Sequence, residues 1–369
     1  MNVLMVTPHL PPHQAANALL PELLGQGLEA RGHCVRYLTF GDSPDTELVI
    51  HVPRRARALR ATRLPQLLEA LDTWRKLRPL LSYSDVVHVH SNTWMNQVAA
   101  VLAARAGRPY VLTHYGTEIW HHDGRDRRFR RLNRQASHVA YYSRALLERG
   151  RELGVPCRAA SVIYPPVAEA FGPMSPARRE EVRRRFVETD GLLLLNVKRL
   201  HPLADHATLL AAFAHVIRQR PEACLLIAGS GEREARLRAQ AAALGIEASV
   251  RFLGLVPNEE VAELQAAADL FVLSSTLEAT PTVVLEALAS GTPAVSTDNP
   301  GGVELHALFG DDVTVVPRSS PEPLAEAILT AAARPRRTRP ETARRIEERF
   351  RPHAVVTAYA ELYREALGR

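Results

Sequence analysis

The sequence predicts an α/β protein with two doubly wound parallel-sheet domains and a C-terminal helix. Three observations carry this. Short β-branched runs alternate with helix-period stretches along all 369 residues, the pattern of parallel sheets flanked by helices. That length exceeds one ordinary core and suits two domains of roughly 150 to 190 residues. A segment holding Pro165, Pro166, Pro173 and Pro176 divides the alternation into two similar halves.

The elements follow in order. In the first half the predicted strands are residues 3–7, 35–40, 86–90, 110–114, 138–142 and 161–164. Between the first two, PELLGQGLEARGH reads as a helix ending at Gly32. In the second half they are residues 192–197, 224–229, 249–254, 270–275, 293–297 and 313–316. HAVVTAYAELYREALGR has apolar positions three and four apart and reads as an amphipathic helix. The expected domains are 1–170 and 171–350, with residues 351–369 a helix packing back toward the first domain. Two such domains facing each other leave a cleft, and ligands bind such sheets beyond the carboxyl ends of their strands. The chemistry is therefore sought in the loops after the strands.

Composition narrows the class. At 46% hydrophobic and 23% charged, the chain has a soluble globular make-up, and no apolar run approaches the ~18 residues of a membrane span. MNVLMVTPHLPP lacks a basic n-region and a cleavage site, so it reads as a first strand and a cytoplasmic location is expected. Cys34, Cys157 and Cys224 are far apart and odd in number, which argues against a disulfide framework or zinc site and for core thiols. The net charge of +6 is uneven: through residue 175 there are 22 Lys and Arg against 14 Asp and Glu, leaving −2 for the remainder. Much of the excess lies in RRARALRATR (54–63) and RDRRFRRLNR (125–134). These runs suit an anionic acceptor or peripheral contact with a membrane surface, or simply form a solvated arginine-rich face. No nucleic-acid partner is expected.

One stretch, SSTLEATPTVVLEALASGTPAV (274–295), places Glu278 and Glu286 around a helix start. Thr280 reads as the N-cap and Pro281 as the first helical residue. The N–H groups of Thr282, Val283 and Val284 then point outward, making a ready phosphate site. Carboxylates flanking it would repel a bare phosphate but could accept hydrogen bonds from hydroxyls on its two sides. A diphosphate between two sugars, as in a nucleotide sugar, meets that demand. Two glutamates at this spacing also arise by chance. His88 and His90 share one strand face, but with no third ligand at suitable spacing they suit a core or cleft-lining place better than a metal. His121 and His122 read as surface residues.

The blocks NVKRLHP (196–202), IAGSGE (227–232), VRFLGLVP (250–257) and AADLFVLSSTLEATPTVVLEALASGTPAVSTDNPGG (267–302) resemble the donor-binding half of the retaining glycosyltransferases of family 4. The first half is similar more loosely, through VLMVTPHLPP, ARGH, VVHVH, LTHYGTE and YSRALLERG. The resemblance implies the GT-B fold of two facing Rossmann-like domains, the first for the acceptor and the second for the nucleotide sugar. It implies that Glu278 contacts hydroxyls of the transferred sugar, that Glu286 holds the ribose, and that Arg199 neutralises the departing diphosphate. It places Gly229 and Gly231 in a turn near the nucleotide and the loop of Leu255 along the base; the helix start read above adds Thr280, Thr282 and Val283 on the phosphate side. His114, followed by Tyr115 and Gly116, matches the segment that faces the sugar.

Three positions depart from the family pattern. Where a lysine usually stands five residues after the motif arginine there is Ala204, with Lys198, His201 and His206 as nearby alternatives and Lys198 read as able to point away. The loop after the first strand carries PPHQAANA in place of paired glycines, leaving His13, Gln14 and Asn17, with Tyr115, as acceptor-side or loop candidates. PGGVE matches a usual glycine pair only if Pro300 replaces the first glycine. The expected function is a retaining glycosyltransferase, independent of metal and cofactor, that moves a sugar from a nucleoside diphosphate donor, UDP being favoured, to an acceptor hydroxyl on a small molecule or a lipid. The alternatives are a nucleotide-sugar epimerase or hydrolase on the same fold, or a catalytically weakened partner subunit.

Overall fold

The computed structural model describes residues 1–13, 16–41, 45–53, 64–187, 191–333 and 337–368. Gln14 and the basic run 54–63 lie outside the described residues. The chain forms two compact units, Met1–Pro165 together with Pro352–Arg369, and Pro166–Arg351.

Unit 1 contains, in order, β1 (Asn2–Val6), α1 (Ala16–Glu29), β2 (Cys34–Phe40), β3 (Val49–Val52), α2 (Leu64–Tyr83), β4 (Val86–His90), α3 (Trp94–Arg105), β5 (Tyr110–His114), α4 (Thr117–Trp120), α5 (Arg127–Gln135), β6 (His138–Tyr141), α6 (Arg144–Glu152) and β7 (Ala160–Val162). Unit 2 continues with α7 (Pro176–Arg183), β8 (Leu193–Val197), α8 (His206–Gln219), β9 (Cys224–Ala228), α9 (Glu234–Ala243), β10 (Val250–Gly254), α10 (Asn258–Ala267), β11 (Leu270–Leu273), α11 (Thr282–Ala289), β12 (Ala294–Thr297), α12 (Pro300–Phe309), β13 (Val313–Val316), α13 (Pro321–Ala333) and α14 (Pro340–Arg349). The chain then returns to unit 1 as α15 (Pro352–Ala366).

Among the described residues, unit 1 holds a seven-stranded sheet in the order β3-β2-β1-β4-β5-β6-β7 and unit 2 a six-stranded sheet in the order β10-β9-β8-β11-β12-β13. Every strand pair is parallel. The central strands are buried on both faces, which is why they read as continuous apolar runs. The sequence reading missed β3, a four-residue edge strand that is only half-buried, so its pattern is faint. It also placed all three cysteines in the core, whereas Cys34 and Cys157 are exposed and only Cys224 is buried.

β4 carries two polar side chains, His88 and His90, into the core of unit 1. Such groups are tolerated only when hydrogen-bonded. The His88 ring bonds the Tyr363 hydroxyl through Nδ1 at 2.7 Å and Thr113 Oγ1 through Nε2 at 2.8 Å, and the Tyr359 hydroxyl reaches Thr113 Oγ1 at 3.0 Å. His90 Nδ1 meets the Tyr115 hydroxyl at 2.7 Å. Burial pushes the His88 ring well below the usual histidine range and the His90 ring down to about 3, so both are neutral core groups. Among the described residues no His, Cys, Asp and Glu group could hold a metal. Tyr363→Phe, which strands His88 Nδ1, is expected to lower stability by about 1–3 kcal/mol, read as a lower denaturant midpoint for unit 1. An unchanged midpoint would mean that His88 does not depend on α15.

Candidate functional site

The order of the unit 2 sheet reverses between β8 and β11, and loops that diverge at such a point leave a crevice at the carboxyl ends of the strands. The loop after β8 delivers Lys198 and the loop after β11 delivers Glu278, whose Oε1 lies 2.5 Å from Lys198 Nζ. Lys198 therefore points at Glu278 and not away from it. The pair is largely sheltered, with side-chain exposures of 29% and 12%. Glu286, half-buried in α11, lies in the same field. Burial raises its carboxyl to about 7, and the positive charge of Lys198 opposes that rise.

Glycines let these loops pack backbone on backbone. Gly229 has φ +136°, and a Cβ there would stand 2.1 Å from the Lys198 carbonyl oxygen. A Cβ on Gly231 would stand 2.4 Å from the Leu200 carbonyl oxygen. The glycines are thus required by the loop after β8, whatever else they face. On the other side, Gly301 donates its N–H to the Glu278 carbonyl at 3.1 Å, and a Cβ on it would meet Pro281 Cδ at 2.6 Å. Gly301 and Gly302 begin α12 behind Pro300, so the pair serves this packing without a glycine at position 300. Asn299 caps α12 by accepting from the Gly302 N–H at 2.8 Å, and its fully buried amide also donates to the Ser275 carbonyl at 3.2 Å. Thr276 N–H and Ser274 Oγ donate to the carbonyls of Leu203 and Ala204, each at 2.8 Å. The Glu278 loop is held from both sides, and Asn299 is the support that the sequence reading missed.

Several expectations are corrected. The helix begins one residue later than read: Pro281 is the N-cap and makes no side-chain cap, and Thr282 is the first helical residue. The Val284 N–H is spent on the Pro281 carbonyl at 3.0 Å, while among the described residues those of Thr282 and Val283 have no backbone acceptor. Arg199 is 75% exposed with its guanidinium 3.8 Å from Glu232. His206 is buried, bonds Asn196 Oδ1 at 3.0 Å and is pushed down to about 4 by burial, so it brings no charge. His201 accepts the Leu203 N–H at 3.3 Å as the cap of a 3-10 turn over 202–204. Leu255 stands 83% exposed beside Gly254, whose carbonyl accepts the Gly229 N–H at 2.7 Å. A cavity of about 810 Å³ in unit 2 lies at the other end of the sheet, against Gly191, Leu192, Asp269, Leu270 and Pro293.

In unit 1 the order reverses between β1 and β4. The His9 and His13 rings lie 4.3 Å apart in the loop after β1, and Thr7 Oγ1 donates to the Asn17 carbonyl. Asn17 Oδ1 is buried without a hydrogen-bond partner. The His114 ring, expected to face a sugar, is fully buried against Phe129 and Tyr141 with Nε2 2.8 Å from Asn133 Oδ1. Contact with a sugar would require the ring to leave that niche. Its Nδ1 lies 3.8 Å from Glu118, whose carboxylate accepts the N–H groups of Tyr115 at 2.7 Å and Gly116 at 3.2 Å. The arginines of 125–134 divide by helical period: Phe129, Leu132 and Asn133 are buried, while Arg125, Arg127, Arg128, Arg131 and Arg134 are exposed. His121 is exposed, but His122 is half-buried and stacks on Phe129 at 3.9 Å.

The carboxyl of Glu286 makes stability depend on pH. A folded carboxyl raised from 4.5 to about 7 gives stability that is present below about 4.5 and is lost as pH rises through 7. The whole shift corresponds to roughly 3 kcal/mol, and solvent screening of a half-buried group leaves about 1–2 kcal/mol. Glu286→Gln is expected to raise the melting temperature near pH 8 and leave it unchanged near pH 4.5. Equal shifts at both values would refute the assignment.

The family model described as "Glycosyl transferases group 1" matches residues 178–351, and that described as "Glycosyltransferase Family 4" matches residues 22–171. Mannosylfructose-phosphate synthase of Agrobacterium fabrum is 36% identical over 154 residues, 38% of this chain and 34% of that protein. The chain thus spans about a third of that relative. Glycogen synthase of Mycobacterium tuberculosis is 32% identical over 313 residues, 80% of this chain and 71% of that protein. The solved structure of Anabaena HepE in complex with UDP superposes with a TM-score of 0.78 at 21% identity, covering 99% of this chain and 100% of its own. With both halves matched, the chain belongs to the group 1 glycosyl transferases and has the GT-B fold.

Proposed function

We propose that the protein is a retaining glycosyltransferase that moves a sugar from a nucleoside diphosphate donor to an acceptor hydroxyl, with unit 2 binding the donor and unit 1 the acceptor. The observation that carries this is the convergence of Glu278, Lys198, Glu286 and the open start of α11 at the unit 2 switch point. The Thr282 and Val283 N–H groups suit a phosphate, and the carboxylates beside it suit sugar and ribose hydroxyls. Leu255, apolar and exposed, suits contact with a base. UDP is the favoured nucleotide, since HepE was solved with UDP and with UDP-glucose.

In this reading the bond between the anomeric carbon and the diphosphate breaks, the acceptor oxygen bonds to that carbon on the same face, and the acceptor's proton passes to a departing phosphate oxygen. Glu278 fits a hydroxyl acceptor better than a nucleophile, because its charge is already engaged by Lys198. Arg199, exposed on its loop, supplies positive charge as the diphosphate leaves. His114 has a supporting part, fixing the end of β5 through Asn133. No step asks for a metal or cofactor. The exposed arginines of α5 suit an acceptor bearing phosphate or an anionic membrane surface, with the protein cytoplasmic and peripheral there.

A panel of nucleoside diphosphate sugars, tested by mass spectrometry with phosphorylated, lipid and free-sugar acceptors, is expected to give a glycosylated product of unchanged anomeric configuration. Glu278→Ala and Arg199→Ala are each expected to lower kcat/KM by about a hundredfold or more. Full activity in both variants would overturn the site. Isomerised or free sugar without acceptor would point to an epimerase or hydrolase.

A further inference from the structure

We propose that Lys198 supplies the second positive charge to the sugar-side phosphate of the donor, in place of a cation at position 204; this rests on the donor reading above. Position 204 cannot supply it. Ala204 is 3% exposed, and its carbonyl is a support for the loop after β11 through Ser274 Oγ. The other nearby cationic side chains have different engagements. His206 is bound to Asn196, His201 caps its own turn, and Arg318 is held by Asp298 Oδ1 at 2.8 Å and the Thr276 carbonyl at 3.3 Å. Arg199, which the donor reading already uses as the first charge, lies exposed near Glu232.

Lys198 differs from all of these. Its backbone is fixed, with its N–H on the Ala228 carbonyl at 2.9 Å and its own carbonyl under Gly229. Its ammonium sits on Glu278 inside the crevice of the switch point. An ammonium has three donors on a flexible stem, so it can keep one on Glu278 and turn others to a phosphate oxygen. Electrostatics require something of this kind. Glu278, in the loop before α11, would repel a diphosphate, and the cation bonded to it removes most of that repulsion. Because Glu278 is assigned to the transferred sugar, the phosphate within reach of its partner is the one next to that sugar.

The test is calorimetric titration of UDP and UMP, at fixed ionic strength, into the wild type, Lys198→Gln and Lys198→Arg. Lys198→Gln keeps a donor for Glu278 but removes the charge, and Lys198→Arg keeps the charge and guards against a loss that is merely structural. Lys198→Gln is expected to weaken UDP by about ten- to a hundredfold and UMP by less than about threefold, while Lys198→Arg stays within about threefold of the wild type on both. Equal weakening of UDP and UMP, or UDP binding indifferent to Lys198, would overturn this inference and leave the donor reading intact. If the wild type bound none of UDP, GDP, ADP and TDP, the donor reading itself would fall, and the inference with it.

Discussion

The site depends on the contact of loop backbones at the carboxyl ends of β8, β9, β11 and β12. Gly229 and Gly231 lie against Lys198 and Leu200, and Gly301 against the Glu278–Pro281 loop. At these separations no side chain fits, so the main chain that carries Lys198 and Glu278 is held by backbone packing. The hydrogen bonds from Asn299, Ser274 and Thr276 then fix the Glu278 loop from either side. A preorganised site on rigid supports follows.

Within that frame the charges balance locally. Lys198 engages one carboxylate directly and opposes the burial-driven rise of the other. The site pairs two acids with one base and a helix start whose first N–H groups are open. The crevice therefore offers both hydrogen-bond donors and acceptors.

Much of this was legible in the sequence for identifiable reasons. The parallel strands are buried on both faces, so they read as clear apolar runs, and the Pro165–Pro176 segment holds the passage between the units. The edge strand β3 lacked that signal. Glu278, Glu286 and the glycines stood out by spacing, but spacing could not say which way Lys198 and Arg199 turn on adjacent positions after β8. The backbone of that loop is fixed by Gly229 and Gly231, which come from the next strand's loop. His114 reads well as the last residue of a strand, yet its ring is claimed by Asn133, a partner 19 residues away that no local pattern reveals. The cap at Thr280 was misplaced by one residue because both Thr and Pro are common at helix starts.

The return of α15 to unit 1 also sets an order of assembly. The partners of His88 and Thr113 on that helix, Tyr363 and Tyr359, are synthesised only after all of unit 2. Until then β4 and β5 carry polar groups whose partners have not emerged, whereas unit 2 is one continuous segment that can close on itself. The half of the protein made first is therefore the half completed last, and a growing chain passes through a state in which unit 2 is whole and the first sheet still has an open seam.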